Sequence, residues 1–198
     1  MNQSQATILS LSTSKTHTFS KPPVSRLKLI ANHGIEGDAH AGTTVQHLSR
    51  LHIKPPPPNL RQVHIMPVEV LQRISVSGRL GADQQKRLLE PGALGQNITT
   101  QGIDLLSLPV GTELRFVNKD GQVRPVLVLT GLRNPCKQID KFVPGLMEKF
   151  LVRSADGKRE IQERLAGVMC TVKTGGVLER GMGVEVVRPA RFVALGVV

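Results

Sequence analysis

Aromatic residues, cysteine and long apolar runs are all scarce in this chain of 198 residues. The chain has no Trp, no Tyr and five Phe, so it lacks the aromatic platforms on which proteins usually stack single-stranded nucleic acid. Its two cysteines, Cys136 and Cys170, are too few for a disulfide scaffold or a cysteine-rich zinc site. No apolar run reaches the roughly 18–20 residues that span a bilayer, so we expect no membrane span.

Acidic residues are also few, and the formal net charge is +11. This excess favours an anionic partner, although the basic residues are scattered and do not form runs. The N-terminus lacks the long apolar centre of a secretory signal. We therefore expect a cytoplasmic protein, with the mitochondrion as the alternative, a disordered terminus over residues 1–6 and a single domain over residues 7–198.

Short segments that alternate apolar and polar residues dominate the chain, and nineteen Gly and thirteen Pro separate them. Three segments have apolar residues at helical spacing, with Pro67 expected in a first helical turn and Asp83 as a cap. This pattern is typical of a mainly β, barrel-like or sandwich-like domain with a few short helices. We predict strands over 7–12, 26–30, 61–66, 112–117, 123–130, 167–173 and 183–188, and helices over 67–75, 83–89 and 144–153.

The segment VLVLTGLRNPCKQID places Cys136 on a loop directly after a buried-type strand. Arg133 and Lys137 flank this cysteine, and nearby cations favour the thiolate, which is the form that acts as nucleophile and metal ligand. The alternative is an inert thiol that packs as a small apolar side chain. Cys170 alternates with Val168 and Val172, so we expect it to pack in the core.

Two further segments combine glycine with polar side chains. On its residues alone, GIEGDAHAG, which holds Asp38 and His40, indicates a plain connection between strands. In PGALGQNITT, the amide of Asn97 and the hydroxyls of Thr99 and Thr100 are groups that donate to phosphate. The six histidines follow no metal-ligand spacing, and we expect His64, inside a predicted strand, to be a hydrogen-bonded polar histidine.

The order of several motifs resembles one known family, the MOSC domains, which are similar to the C-terminal part of molybdenum cofactor sulfurases. The resemblance covers about residues 7–190 and is closer to the free-standing MOSC proteins than to the sulfurase. It implies a barrel-like fold and one cysteine that carries sulfane sulfur or ligates molybdenum, and Cys136 stands at that position. The motifs are THTFSK, GIEGDAHAG, RQVHIMPVEVL, PGALGQNITT, GIDLLSLPVGT, LTGLRNPCKQID and GVMCTVKTGG.

The resemblance also implies a set of site residues around Cys136. Arg133 and Asn134 match the family's Arg-x-Pro-Cys neighbourhood, and Asn97 matches the Asn of its Gly-Glu-Asn motif. Gln96 departs from that motif, because a neutral amide replaces a carboxylate. The candidate catalytic residue and molybdenum ligand is Cys136, and the candidate cofactor-binding residues are Arg133, Asn134, Lys137, Asn97, Thr99, Thr100, Asp38 and His40.

The implied cofactor is the molybdenum cofactor, molybdopterin, bound transiently or permanently. Pyridoxal phosphate is not expected, because the sulfurase domain that uses it is absent. The expected partners are a small-molecule substrate, such as an N-hydroxylated compound, and an electron-donor reductase. The sequence leaves open a sulfur carrier or a molybdenum oxidoreductase, and also a basic module for nucleic acid or a structural protein in which Cys136 is merely packed.

Overall fold

The structure is a computed structural model that describes residues 6–78, 80–118, 120–154 and 160–198. Within those residues the chain forms thirteen strands and four short α-helices. The strands are β1 Thr7–Ser12, β2 Pro23–Val24, β3 Arg26–Ile30, β4 Gly34–Ile35, β5 Val63–Pro67, β6 Ile98–Gln101, β7 Glu113–Val117, β8 Val123–Leu132, β9 Leu151–Arg153, β10 Ile161–Arg164, β11 Val168–Thr174, β12 Gly176–Glu179 and β13 Gly183–Val187. The helices are α1 Val68–Ser77, α2 Ala82–Leu89, α3 Lys137–Phe142 and α4 Leu146–Lys149.

Seven of the strands close into a barrel in the order β13-β7-β8-β11-β5-β6-β1, because β13 pairs back onto β1. At the closure, the Ile8 amide donates to the Met182 carbonyl at 2.9 Å. Within the barrel, β5 and β6 are parallel and the other neighbouring strands are antiparallel. Closure leaves no unpaired edge among these seven strands, and the predicted mainly β barrel is confirmed.

Two apolar cores result from this arrangement. The first fills the barrel and contains Phe116, Leu127 and Cys170. Cys170 is 0% exposed, which confirms its predicted core position, and burial raises the pKa of its thiol. The second core lies between the helices and the barrel, where Leu71 and Ile74 of α1 pack, as their helical spacing predicts.

The predicted strands all occur, with ends shifted by up to two residues. The helix predicted over 144–153 is wrong beyond its first turn, because Leu151–Arg153 forms β9 and pairs with β10. Its apolar stripe serves both a short helix and a strand. Pro67 ends β5 and precedes α1, and Gly81, not Asp83, stands before α2. α3 was not predicted, because its six residues are too few to show a helical period.

Two further expectations concern the N-terminus, predicted to be disordered, and helices that could span a membrane. Of the predicted disordered terminus, residues 1–5 lie outside the described residues, and the carbonyl of Ala6 accepts a hydrogen bond from the Val184 amide at 2.8 Å. The longest helix, α1, has 10 residues. Within the described residues, no helix has the length and apolar character that crossing a bilayer requires.

Candidate functional site

A cleft of about 410 Å³ lies beside Cys136, bordered by the loop after β8, the segment before β2 and the segment after β4. No Asp or Glu side chain is among the described residues that line it. Its lining is therefore cationic, with an apolar wall that includes Phe19, Leu94 and Met169. The charged and imidazole side chains of the lining are Lys21, Arg61, Arg133, Lys137, His17, His40, His47 and His64.

Cys136 is an exposed residue that borders this cleft at the start of α3. The preceding loop is attached to the barrel, because the Arg133 amide donates to the Gly167 carbonyl at 3.0 Å. The Cys136 carbonyl accepts from the Ile139 amide at 2.9 Å. Pro135, the residue directly before Cys136, is buried. The sulfur is thus carried by a short segment that is anchored on both sides.

Arg133 is the cation that interacts directly with Cys136. Its guanidinium donates to the Leu94 carbonyl at 2.6 Å. Burial lowers the pKa of Arg133, while the charge and a hydrogen bond of the Cys136 thiolate oppose that change. Asn134 also lines the cleft, and its side-chain oxygen accepts from the Arg164 guanidinium at 3.0 Å. Lys137 completes this group as an exposed lining residue.

Asp38 lies behind the residues that line the cleft and links three of them through polar contacts. One of its oxygens accepts from Lys21 Nζ at 2.6 Å and from Asn97 Nδ2 at 2.9 Å. The other lies 2.9 Å from the His40 amide and 3.1 Å from His40 Nδ1. Burial alone would raise the pKa of Asp38, but the hydrogen bonds of His40 and the charge of Lys21 hold it well below its usual range.

Asn97 connects three parts of the chain at the same place. Its side-chain amide also donates to the Ser12 carbonyl at 3.1 Å, and its side-chain oxygen accepts from the His64 amide at 3.1 Å. The neighbouring Gln96 is buried, and its side-chain oxygen accepts from the Leu94 amide at 2.9 Å. Gln96, which replaces the family's Glu, therefore stabilises the loop before β6 from its buried side.

The structure brings six of the eight predicted cofactor-binding residues to the cleft or directly behind it. Thr99 and Thr100 are the two that it does not bring there. Both are buried in β6, 4% and 0% exposed, and neither lines the cleft. Those at the lining are His40, Asn97, Arg133, Asn134 and Lys137, and the one behind it is Asp38.

Lys21 was missed by the sequence reasoning although it is central to the cleft. It is buried, and its backbone amide donates to the Gly92 carbonyl at 2.9 Å. Gly92 has a positive φ of 69°, and a Cβ there would lie 2.1 Å from the Lys21 carbonyl oxygen, so no other residue fits without a shift. Both segments belong to the motifs of the resemblance, which is the only sequence signal for this contact.

Arg61 and His47 are two further lining residues that the sequence reasoning missed. Each has a buried side-chain nitrogen that forms no hydrogen bond with the described residues. Within the described part of the chain, Arg61 Nε and His47 Nδ1 have no hydrogen-bond partner. Burial, followed by the charges of Arg50 and Arg133, lowers the pKa of Arg61 to about 10. Burial, followed by the charge of His40, lowers the pKa of His47 to about 3.

His64 is a hydrogen-bonded polar histidine, as predicted. It is 5% exposed, and its Nε2 lies 2.8 Å from the Ala166 carbonyl oxygen. Burial, followed by the charge of Arg133, lowers its pKa well below the usual value. Despite the four histidines of the lining, the described residues contain no group of three or more His, Cys, Asp or Glu side chains placed to hold a metal ion.

A closed barrel with a single accessible thiol beside a cationic cleft agrees with the result of a comparison with known families. The model of the MOSC domain matches residues 38–185. The chain belongs to the MOSC domain family. No curated protein matches it significantly.

Solved structures share the fold of this chain. The YuaD protein from Bacillus subtilis is similar with a TM-score of 0.67 and 25% identity, over 92% of this chain and 96% of that one. YiiM from Escherichia coli has a TM-score of 0.59 and 17% identity, over 96% of this chain and 73% of that one. YiiM from Geobacillus stearothermophilus has a TM-score of 0.53 and 16% identity, over 92% and 75%. The likeness to the two YiiM structures shows the fold alone.

Proposed function

We propose that the cleft binds the molybdenum cofactor and that the Cys136 sulfur is a ligand of the molybdenum. The observation that carries this proposal is the exposed thiol on the border of a cationic cleft without a lining carboxylate. A soft thiolate suits a metal that is already bound by the dithiolene of a pterin. The phosphate of the same pterin needs a basic site.

The unpaired nitrogens of the cleft fit an anionic group. Arg61 carries a positive charge with a buried Nε that has no partner among the described residues, and such a group is costly unless it is paired. A phosphate accepts two parallel hydrogen bonds from a guanidinium. We therefore place the phosphate of the cofactor against Arg61, with Arg133 and Lys137 as further cations. Thr99 and Thr100 are left out of this set because they are buried in β6.

The chain's own residues have three tasks in this proposal. The cofactor, when bound, would supply two-electron chemistry of the kind that reduces small N-hydroxylated compounds. Arg133 keeps positive charge at the Cys136 sulfur, and the loop anchored on Gly167 fixes the direction of that sulfur. Phe19 and Met169 give the cleft an apolar wall against which a ligand can pack. An electron-donor protein and a cytoplasmic location remain part of the proposal.

A persulfide on Cys136 is the second candidate. A persulfide is lost when a neighbouring thiol attacks it and forms a disulfide. The other cysteine of the chain, Cys170, is fully buried inside the barrel, so it cannot attack a sulfur on Cys136. The geometry is thus compatible with a sulfur that is carried and delivered.

The test compares three forms of the full chain, produced in a host that makes the cofactor: the unaltered protein, Cys136→Ser and Cys170→Ala. Molybdenum and pterin are measured on each, and the intact mass is read for added sulfur. We expect molybdenum and pterin in the first and third forms and neither metal nor added sulfur in Cys136→Ser. Equal molybdenum in all three would contradict the ligand role, and an added sulfur without metal would favour the carrier.

A further inference from the structure

No carboxylate is among the described residues that line the cleft, and histidine is the side chain whose unperturbed pKa suits proton transfer near neutral pH. We propose that His40 is the residue that gives protons to, and takes them from, a ligand held at Cys136, and that Asp38 is its positioning residue. The identity of the ligand rests on the proposed function. The arrangement of the two side chains does not.

Three of the four lining histidines are poorly suited to this task. His64 uses Nε2 for the Ala166 carbonyl, and burial holds it neutral. Burial lowers the pKa of His47 to about 3, so its ring is uncharged near neutral pH and has no second proton to give. His17 is exposed, and among the described residues no carboxylate forms a hydrogen bond with its ring to orient it. Of the lining histidines, His40 alone contacts a carboxylate of the described residues, that of Asp38.

Lys21 is the other titratable lining group that contacts Asp38, and its charge is already paired with that carboxylate. It is 4% exposed and lies 2.6 Å from the Asp38 carboxylate. A proton taken from Lys21 would leave the buried Asp38 charge without its nearest counter-charge, which is strongly unfavourable. Lys21 therefore keeps Asp38 ionised and does not exchange protons with a ligand.

The contact with Asp38 determines which ring nitrogen of His40 is free. Asp38 Oδ1 lies 2.9 Å from the backbone amide and 3.1 Å from Nδ1 of the same residue. Because an ionised carboxylate only accepts hydrogen bonds, Nδ1 must carry a hydrogen, and the exchangeable proton is on Nε2. A carboxylate that orients a histidine in this way fixes its tautomer and stabilises the charged ring, and it does not take up the proton itself.

The ring of His40 is also held in place by its neighbours while staying accessible. The His17 ring meets it edge-on at a centroid distance of 4.9 Å, and the His47 ring lies 4.6 Å away on a tilted plane. The His40 side chain is 21% exposed. The charged ring can give the Nε2 proton to an oxygen or nitrogen of the ligand, remain as the neutral Nδ1–H form, and regain a proton from solvent. The groups that face it are Asp38, His17, His47 and Lys21.

The first test reads the tautomer directly in the full chain labelled with ¹⁵N. Long-range ¹H–¹⁵N correlation spectra at mildly alkaline pH distinguish the two ring nitrogens of each histidine. We expect the neutral ring of His40 to carry its hydrogen on Nδ1, and the Asp38→Asn variant to move it to Nε2, because the amide can donate to Nδ1. A ring of the unaltered protein with its hydrogen on Nε2 would overturn the proposal whether or not the variant folds.

The second test uses His40→Asn. The side-chain amide of Asn can replace the Nδ1–H bond to Asp38, but it cannot take up or release a proton. The control is His52→Asn, an exposed position outside the cleft. The readouts are molybdenum content and the reduction of N-phenylhydroxylamine to aniline and water, with two electrons from reduced viologen and two protons. We expect His40→Asn to keep its molybdenum and to lose turnover by a factor of about 10²–10⁴.

The two tests separate the two proposals. Turnover of His40→Asn equal to that of His52→Asn, at equal molybdenum, would overturn the role of His40 and leave the cofactor site intact. An unaltered protein that holds no molybdenum would overturn the proposed function. In that case the tautomer of His40, which needs no cofactor, still supports or contradicts its orientation by Asp38.

Discussion

The two cysteines of this chain differ in surroundings, although one lies in a strand and the other follows the neighbouring strand by only four residues. Cys170 lies in β11, opposite Leu129 of β8, and is 0% exposed inside the barrel. Cys136 follows the end of β8 by four residues and borders a cleft with Arg133 and Lys137. Burial raises the pKa of the Cys170 thiol, whereas Cys136 is exposed beside the cations of that cleft.

A thiol inside the paired strands is buried in the core, whereas a thiol on the loop just beyond them is exposed to the cleft. The paired strands β8 and β11 form a rigid support, and the loop beyond them carries the exposed sulfur into cationic surroundings. Chemistry on a loop that rigid strands position is a common arrangement. The predictions that follow alter either the cleft or the barrel core and measure whether the two respond differently.

The largest effect is expected from Asp38→Ala, which removes the anchor of the cleft. The variant leaves Lys21 buried without its counter-charge, 2.6 Å from the lost carboxylate. Loss of one partner of a buried ion pair lowers the free energy of unfolding by about 3–5 kcal/mol, measured by urea denaturation. The matched control is Glu36→Ala, which breaks the exposed pair with Lys28 and should cost under about 1 kcal/mol. Equal losses in the two variants would contradict the assigned role of Asp38.

Acid should destabilise the cleft through His47. Its pKa is 6.5 in the reference state and about 3 in the folded chain, because of burial and then the charge of His40. Between these values the unfolded chain binds a proton that the folded chain does not, so stability is retained above about pH 6.5 and is lost as the pH falls toward 3. His47→Gln should remove on the order of 2 kcal/mol of this loss, measured by urea titrations across the window.

The control for that experiment is His52→Gln, an exposed position that should leave the pH dependence of stability unchanged. His64 is buried and lowered in pKa for the same reason, so some acid dependence should persist in the His47 variant. A His47→Gln protein with the same stability curve as the unaltered chain would show that His47 is not held neutral by its surroundings.

The barrel core should respond to a change at Cys170 more than the cleft responds to the same change at Cys136. Cys170→Ser buries a hydroxyl among apolar side chains and should cost about 1–2 kcal/mol of unfolding free energy. Cys136→Ser, at an exposed site, should stay within about 0.5 kcal/mol. Urea denaturation of both variants measures the difference, and a greater loss at Cys136 would reverse the comparison.

The smallest effect on stability is expected from Arg61→Gln, which removes a cation with an unpaired buried nitrogen. Stability should be unchanged or rise by up to about 1 kcal/mol. Inorganic phosphate should raise the Tm of the unaltered protein by binding its folded state, and this rise should be lost in the variant. Arg26→Gln, an exposed residue of β3, is the control, and a phosphate effect equal in all three proteins would place the anion elsewhere.

Much of the barrel could be predicted from sequence because each barrel strand has an inner and an outer face. Alternation in residues 112–117 or 183–188 records those two faces directly. Residues 144–153 show the limit of this reasoning, since Phe150 and Val152 have apolar side chains that suit either a helix or a strand. Pairing of β9 with β10 decides between them, and that contact is not local.

The family resemblance brought Asp38, His40 and Asn97 into the candidate site. Without that resemblance, the site was predictable only where one segment carries its signal. Cys136 follows a buried strand and turn residues, and Arg133 is three residues away, so their proximity is local. The ion pair of Lys21 with Asp38 joins two loops, and Arg61 and His47 line the same cleft from separate segments. Their closeness depends on how the barrel closes and on the tight approach at Gly92, which spacing along the chain does not encode.

The most direct test of the central claim compares alkylation of Cys136 by iodoacetate, an anion, and by neutral iodoacetamide, in the native Cys170→Ala protein. A reachable sulfur among cations should react with the anion faster, relative to the neutral reagent, than a free thiol does, and phosphate should reduce this preference. A ratio equal to that of the free thiol, or labelling that appears only on unfolding, would contradict the account.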